Sequence, residues 1–232
     1  MVQAFLKKTG EDDDTVGVME LNTPRKDFDS EAANWDTNLG RVKMAGDIAD
    51  SIIKTIGLTP TMDIMDFGCG TGLLTLNLNS LVHSVMGVDS SQGMLDVLNE
   101  KIRERKLANV ETQYIDLDQG KDLNGRYDVI VSAMAFHHIK EIGAVLRQFY
   151  KILAPGGIMG VADLDLDGGK FHESNEGVFH FGFDRGSLRR DFLEAGFKDV
   201  ADTTAAELVK PGPEGETRKF TIFLVTGRKA RV

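Results

Sequence analysis

The segment that decides the fold is MDIMDFGCGTGLLTL, residues 62–76. It begins with a short apolar run at residues 64–65, which is typical of a buried strand. Glycines at positions 68, 70 and 72 then predict a tight turn, after which an apolar helix begins. Glycines let the backbone approach a ligand closely, and a helix N-terminus presents free N–H groups. Strand, glycine turn and helix in this order predict a site for a ligand that is nucleotide-like or carries a carboxylate.

The spacing of the glycines selects among such ligands. A dinucleotide fingerprint is G-x-G-x-x-G, whereas this chain has G-x-G-x-G, with Leu73 where the third glycine would fall. Asp66 stands two residues before the first glycine. A carboxylate at that point repels a pyrophosphate and attracts an ammonium group. The loop therefore disfavours a nicotinamide oxidoreductase and favours a ligand that carries a positive charge.

The motif acid-x-G-x-G-x-G at residues 66–72 resembles the first motif of the class I S-adenosylmethionine-dependent methyltransferases. A second similar feature is a helix followed by LAPGG, residues 153–157, and then a strand. The resemblance extends from about residue 27 to the end of the chain. It implies an α/β fold, with a Rossmann-like, doubly wound and mostly parallel sheet that ends in a C-terminal antiparallel hairpin.

The resemblance also implies S-adenosylmethionine as the cofactor and three acidic side chains as its main polar partners. Asp66 is expected to hold the ammonium group and Asp116 the exocyclic amine of adenine. Asp89 lies about 20 residues beyond the loop, at the end of an expected strand, where an acid can accept both ribose hydroxyls. The alternating segment VETQYID, residues 110–116, predicts a strand that ends at Asp116 itself.

Several further positions complete the expected cofactor site. The backbone of Leu117 is expected beside the adenine ring, and the backbone of Ala133 and Met134 beside the methionine part of the cofactor. The full expected set is Trp35, Asp66, Gly68, Cys69, Gly70, Gly72, Asp89, Ser90, Met94, Asp116, Leu117, Ala133 and Met134.

Two adjacent histidines, His137 and His138, follow the apolar run at residues 127–133, which predicts a central parallel strand. One of them is expected to contact the methyl acceptor or to act as its base. The alternative is that one caps the next helix while the other packs. Weaker candidates are Asp163, Asp165, His172 and His180. No metal site is expected, because the histidines and acids lack tight ligand spacing.

The domain organisation is predicted as one methyltransferase domain, residues 27–232, behind a polar lead-in at residues 1–26. Trp35 lies in a short helical pattern that either packs on the domain or forms a lid over the cofactor. Within the domain, residues 27–57 form N-terminal helices, 58–164 the cofactor-binding core, 165–185 a candidate substrate-covering segment, and 186–232 a helix and a hairpin.

Composition limits the partners. The chain has 232 residues, 41% of them hydrophobic, and a formal net charge of −9. Acidity makes nucleic acid an unlikely partner, since proteins that neutralise phosphates are usually basic. No apolar run is long enough to span a bilayer, and no signal peptide is evident, so a cytoplasmic location is expected. A single cysteine, Cys69, excludes an intrachain disulfide.

The leading functional prediction is direct transfer of a methyl group from S-adenosylmethionine to a small-molecule acceptor. The acceptor atom and the oligomeric state are left open by the sequence. One alternative is a methyltransferase for protein or structured RNA, which a positive patch near the cofactor mouth would favour. Another is a regulatory subunit that binds S-adenosylmethionine without catalysis, which would need the same cofactor motifs.

Overall fold

The computed structural model describes residues 26–212 and 215–231. Within them one sheet has the strand order β3-β2-β1-β4-β5-β7-β6. The first five strands pair in parallel, and β7 runs antiparallel to both of its neighbours. The strands are β1 Asp63–Phe67, β2 Ser84–Asp89, β3 Val110–Tyr114, β4 Tyr127–Ala133, β5 Leu153–Leu164, β6 Lys198–Pro211 and β7 Thr217–Arg228. The predicted α/β fold with a C-terminal antiparallel hairpin is confirmed.

Helices cover both faces of this sheet. They are α1 Phe28–Glu31, α2 Leu39–Ile56, α3 Leu73–Leu78, α4 Gln92–Arg105, α5 Ile142–Ile152 and α6 Arg185–Glu194. Apolar residues of α2 and α3 pack in one buried cluster, and those of α5 and α6 pack in another on the opposite face. Ile64 and Met65, neighbours on β1, are buried in these two different clusters, as the alternation of a strand requires.

Polar side chains fix where the helices begin. Asn38 accepts from the Arg41 N–H at the start of α2, at 3.2 Å, and Asp184 accepts from the Ser187 N–H at the start of α6, at 2.8 Å. Such caps satisfy N–H groups that have no partner inside the helix. At the other end of α2, Gly57 adopts φ +72°, a left-handed conformation that suits glycine and stops the helix.

The boundaries of β3 and β5 differ from the sequence prediction. Strand β3 ends at Tyr114, so Asp116 lies beyond it and caps the 3-10 turn Leu117–Gln119. Strand β5 begins at Leu153, because that residue already pairs with Tyr127 before a register shift.

The predicted lead-in, residues 1–26, lies outside the described residues except for Lys26. Among the helices that are described, none combines the length and the apolar character that crossing a bilayer requires.

Candidate active site

The glycine loop joins β1 to α3 and adopts left-handed backbone conformations at Gly68 (φ +71°), Gly70 (φ +53°) and Gly72 (φ +84°). A Cβ on Gly68 would lie 2.4 Å from the Cβ of Ala135, and one on Gly72 would lie 2.3 Å from Cδ1 of Leu98. A Cβ on Gly70 would meet nothing closer than 3.9 Å. Packing therefore requires glycine at both ends of the loop, whereas the middle of the loop has room beside it.

Asp89 fastens this loop from the end of β2. Its Oδ2 accepts from the Gly70 N–H at 2.8 Å, and its Oδ1 accepts from the Ser91 N–H at 2.9 Å. Asp89 and its neighbour Ser90 are half-buried. The acid at the tip of β2 thus lies directly against the glycine loop and the start of α4.

Asp66, near the end of β1, is buried with 1% of its surface exposed. Thr75 donates its hydroxyl to Asp66 Oδ2 at 2.6 Å. Burial raises the pKa of Asp66 to about 7, the hydroxyl of Thr75 opposes this shift, and the charge of Asp89 adds to it. A cation bound beside Asp66 would favour the ionised carboxylate.

Asp116 lies beside the ends of β2 and β3 and is 3% exposed. Its Oδ1 accepts from the Asp118 N–H at 3.1 Å, and its Oδ2 accepts from the Gln119 side-chain amide at 2.9 Å. The preceding residue, Ile115, donates its N–H to the backbone oxygen of Asp89 at 3.0 Å. The chain therefore places the second and third acids at adjacent points of the same sheet edge. Leu117, which follows Asp116, is half-buried.

Three more expected positions lie around the same edge. Met94, on the first turn of α4, is buried, while Ala133 and Met134 at the end of β4 are half-buried. Met134 has φ +56°, which is uncommon for a residue with a side chain, and donates its N–H to Ala162 at 2.8 Å. The backbone therefore turns sharply where β4 leaves the sheet.

Cys69, in the middle of the glycine loop, is buried against β2. A Cβ added to Gly87 would lie 3.0 Å from its Sγ. Burial raises the pKa of the Cys69 thiol well above its ordinary value, with further contributions from the charges of Asp89 and Asp66. This thiol stays protonated at neutral pH, so Cys69 packs the loop onto the sheet.

Three histidine rings lie together beyond β4, and we call them the histidine cluster: His137, His138 and His172. Ring centroids are 4.2 Å apart for His137 and His138, 4.9 Å for His137 and His172, and 5.9 Å for His138 and His172. The structure thus brings His172, one of the weaker candidates, to the two adjacent histidines.

A buried carboxylate supports one member of the cluster. His137 Nδ1 lies 2.8 Å from Asp163 Oδ1, and the His137 backbone N–H donates to Asp163 Oδ2 at 3.2 Å. Burial pulls the pKa of Asp163 upward, but the charge and hydrogen bonds of His137 and the N–H of Leu164 hold it below its ordinary value. Asp163 is therefore ionised at neutral pH and orients the imidazole of His137.

The other two members are neutral at physiological pH. His138 Nδ1 donates to the backbone oxygen of Gly177 at 2.7 Å, and burial followed by the charge of His137 lowers its pKa to about 4. Burial and the two other histidines lower the pKa of His172 to about 3. The Nε2 atom of His172 is enclosed and has no hydrogen-bond partner within residues 26–212 and 215–231.

The side chains of the remaining candidates, His180 and Asp165, bind groups outside this cluster. His180 Nε2 lies 2.9 Å from the backbone oxygen of Ile139. Asp165 accepts from Arg185 Nη2 and from the Thr221 hydroxyl, both at 2.6 Å. These contacts fix the ends of the segment at residues 165–185. The part of the chain that the structure describes contains no group of three side chains suited to hold a metal ion.

A segment that we call the cover, residues 26–38, is fastened over the glycine loop. Asp29 Oδ1 accepts from the Ser91 hydroxyl at 2.5 Å and from the Gly93 N–H at 2.9 Å. Asp36 accepts from the Thr71 hydroxyl at 2.6 Å and forms an ion pair with Lys101. These contacts were not predicted from the sequence. The acidic residues of the cover could have predicted them, because the N-terminus of a helix such as α4 attracts negatively charged side chains.

Trp35 lies on the cover, and its ring contacts Arg41 of α2 and Phe28 of the cover. Its ring is 3.8 Å from Cζ of Arg41 and 5.9 Å from the ring of Phe28. The ring of Phe28 in turn is 5.0 Å from that of His138, edge to face. Trp35 therefore reaches the histidine cluster through Phe28.

Comparison with known proteins identifies the domain. Residues 64–157 match a family model described as a methyltransferase domain. An uncharacterized methyltransferase of Schizosaccharomyces pombe is 39% identical over 118 residues, which cover 48% of this chain and 42% of that protein. A demethylmenaquinone methyltransferase of Lactobacillus johnsonii is 31% identical over 107 residues, covering 43% of this chain and 42% of that protein. The chain thus spans less than half the length of either relative.

Solved structures share the fold. A putative methyltransferase of Haloferax volcanii, in complex with the Trm112 methyltransferase activator, is 18% identical with a TM-score of 0.71, covering 89% of this chain and 99% of that one. Phosphoethanolamine N-methyltransferase 2 of Haemonchus contortus, in complex with S-adenosylmethionine, is 17% identical with a TM-score of 0.63, covering 78% and 52%. At these identities the likenesses show that the fold is shared. Residues 64–157 thus carry a methyltransferase domain, and these findings support a class I S-adenosylmethionine-dependent methyltransferase.

Proposed function

We propose that this protein transfers a methyl group from S-adenosylmethionine to a small-molecule acceptor beside the histidine cluster. The observation that carries the proposal is the convergence of the glycine loop, three strand-edge acids and a buried imidazole–carboxylate pair on one edge of the sheet. In an open parallel sheet, ligands bind outside this edge.

The residues around the loop fit the cofactor. Gly70 has room beside it, and the acids offer one carboxylate each for the ammonium (Asp66), the ribose hydroxyls (Asp89) and the adenine amine (Asp116). Each of these acids already accepts hydrogen bonds from the chain, which fixes its orientation before a ligand arrives.

The remaining expected positions would complete the binding site. Backbone groups of Leu117, Ala133 and Met134 would lie along the adenine and methionine parts, and Ser90 and Met94 would border the ribose side. Trp35, on the cover, would limit the entry of water. Exclusion of water favours a displacement in which charge is neutralised.

The chemistry needs alignment more than activation by the protein. When bound, S-adenosylmethionine supplies a methyl group on a cationic sulfur; the acceptor lone pair forms the new bond to carbon, and the electrons of the broken carbon–sulfur bond stay on sulfur. An acceptor that carries a proton must also lose it. His137 is the stronger candidate for that base, because Asp163 stabilises the imidazolium that forms. His138 would contact the acceptor.

The proposal is tested by titrating the protein with S-adenosylmethionine and then measuring release of S-adenosylhomocysteine with a panel of small acceptors. We expect His137→Ala to lower turnover by about 10²- to 10⁴-fold with little change in cofactor affinity. His83→Ala is the matched control, because His83 is an exposed surface residue.

Near-normal turnover in both His137→Ala and His138→Ala would show that neither histidine acts as a base. Binding of S-adenosylmethionine without turnover of any acceptor would favour a regulatory subunit. If only protein or RNA is methylated, the acceptor is a macromolecule rather than a small molecule. If the protein binds NAD tightly and does not bind S-adenosylmethionine, the whole proposal is wrong. A cytoplasmic location stays a prediction from the sequence.

A further inference from the structure

Three cationic side chains lie over aromatic rings near the histidine cluster, and we call them the cationic rim: Lys26, Arg41 and Lys210. The Nζ of Lys26 is 5.2 Å from the ring of Phe28, and Cζ of Arg41 is 3.8 Å from the ring of Trp35. The Nζ of Lys210 is 3.5 Å from the ring of Phe171. Each cation is therefore held over an aromatic face that attracts positive charge.

The rings beneath the rim lead directly to the histidines. Phe28 lies 5.0 Å from His138, and Phe171 lies 5.0 Å from His172, both edge to face. Phe28 belongs to the cover, whereas Phe171 belongs to the segment at residues 165–185. The two segments thus supply aromatic rings that lie between the cations and the histidine cluster.

The three cations are near enough to the histidine cluster or to each other to affect neighbouring pKa values. Burial lowers the pKa of Lys210, and the charge of Arg41 lowers it further. The pKa of His172, lowered mainly by burial, is lowered further by the charges of Lys26 and Lys210. The rim is therefore a local concentration of positive charge in a chain whose net charge is −9.

Within residues 26–212 and 215–231, the rim has more cations than carboxylates paired with them. Glu31 is shared, at 3.1 Å from Lys26 Nζ and 3.7 Å from Arg41 Nη2. Glu173 and Asp167 favour the charged form of Lys210 without forming an ion pair with it. Asp167 is already occupied by the N–H groups of its own loop, at 3.1 and 2.7 Å. Among the described residues, Glu31 is thus the one carboxylate within ion-pair distance of the rim, and it pairs with Lys26 and Arg41 but not with Lys210.

We propose that the methyl acceptor is a small anion, whose carboxylate or phosphate binds the cationic rim while its O–H or N–H group donates to His172 Nε2. The inference rests on the proposed function and names its acceptor class. The enclosed Nε2 supports this contact, because a buried ring nitrogen that has no partner among the described residues is costly until a ligand supplies one. Three cations around a few rings suit one anionic group rather than a nucleic acid backbone, which needs an extended basic surface.

The single tryptophan provides a probe, because Trp35 lies beneath the guanidinium of Arg41. The full chain, saturated with S-adenosylhomocysteine, is titrated while Trp35 fluorescence is recorded. Two matched pairs of ligands differ mainly in charge: 4-hydroxybenzoate against its methyl ester, and glycerol 3-phosphate against glycerol. We expect at least one anion to bind about tenfold more tightly than its neutral partner, and the pair that responds separates a carboxylate from a phosphate.

Variants then assign the preference to the rim. Arg41→Gln and Lys210→Gln should each reduce the preference for the anion by about five- to tenfold. Lys43→Gln is the control, since Lys43 is exposed on α2 and pairs with Asp47. It should leave the preference unchanged, and all three variants should bind S-adenosylmethionine within about twofold of wild type.

The outcomes separate the two proposals. If wild type binds S-adenosylmethionine but prefers neither anion, the anionic acceptor is wrong while methyl transfer stands. If the rim variants lose affinity for S-adenosylmethionine itself, the rim binds the cofactor carboxylate and the inference is overturned. A short single-stranded RNA that binds more tightly than both small anions would also overturn it. If wild type binds no S-adenosylmethionine, the proposed function fails first.

Discussion

At the scale of single residues, the buried carboxylate of Asp66 lowers the stability of the folded chain when it is ionised. It is 1% exposed, and burial raises its pKa to about 7. The folded chain therefore binds more protons than the unfolded chain between about pH 4 and pH 7, and ionisation of Asp66 lowers the free energy of unfolding as pH rises through this window. A carboxylate kept at such a position is typical of a functional site.

We expect Asp66→Asn to raise the free energy of unfolding at pH 8 by about 1–3 kcal/mol, because an amide removes the buried charge and still accepts from Thr75. The gain should shrink toward pH 4, where Asp66 is protonated in the folded wild type. Denaturant titrations at both pH values measure this difference. A variant less stable than wild type at pH 8 would contradict it, and weaker binding of S-adenosylmethionine should accompany the gain.

Local sequence signals located the acids near the glycine loop, because each follows an apolar run within a few positions. Asp89 was found by its spacing from the loop, and it does lie against the loop. Asp29 and Asp36 were missed because their partners lie far along the chain: Asp29 is 62 positions from Ser91, and Asp36 is 35 from Thr71. The periodicity of a sequence predicts single helices and strands. It does not predict which residues far along the chain will contact them.

At the scale of elements, the cover is a short segment held by a few polar contacts. It consists of α1 and the 3-10 turn Ala32–Thr37, and the only buried residue in either is Ala32. A segment with so little apolar burial opens locally at low cost. The hydrogen bonds of Asp29 and Asp36 therefore hold this segment against the glycine loop and α4.

Asp36→Ala should release the C-terminal part of the cover, since it removes the hydrogen bond from Thr71 and the ion pair with Lys101. We expect about tenfold weaker binding of S-adenosylmethionine and a loss of only about 1–2 kcal/mol in the free energy of unfolding. Calorimetric titration and hydrogen exchange over residues 27–38 measure the two effects.

Asp47→Ala is the matched control for the cover, because Asp47 forms an exposed ion pair with Lys43 on α2. It should change neither the affinity nor the exchange. Unchanged exchange in Asp36→Ala would mean that apolar packing of Phe28 and Trp35, rather than the polar contacts, holds the cover in place.

Element boundaries show where sequence patterns stop being informative. The pattern VETQYID alternates to Asp116, yet β3 stops at Tyr114 because its last pairing partner is Asp89, the end of β2. In the same way β5 begins before the glycines of LAPGG, since Leu153 pairs with Tyr127. The length of a strand depends on its neighbours in the sheet as well as on its own residues.

At the scale of the whole molecule, the histidine cluster affects stability in acid. The folded pKa values of His138 and His172, about 4 and about 3, lie below the value of about 6.5 for unfolded histidine. The unfolded chain therefore binds more protons in this window, and the stabilisation present above pH 6.5 is lost as pH falls. Asp66 opposes this loss over part of the same range.

In wild type, the free energy of unfolding should fall as pH is lowered from 7 to 4, partly because His172 takes up a proton on unfolding. His172→Phe removes this proton, so we expect the slope of that fall to decrease by roughly 1.4 kcal/mol per pH unit. Thermal or denaturant unfolding at several pH values measures the slope. His83→Gln, at an exposed position, should leave the slope nearly as in wild type. A slope unchanged in His172→Phe would show that His172 takes up its proton in the folded state.

The position of β7 has a consequence for biosynthesis. This strand follows β6 in the chain but lies between β5 and β6 in the sheet. While the ribosome is still translating β7, β6 has no strand with which to pair. One edge of β5 is then unpaired and exposed to solvent. The nascent chain therefore stays incomplete, and exposed to chaperones, until residue 228 has left the exit tunnel.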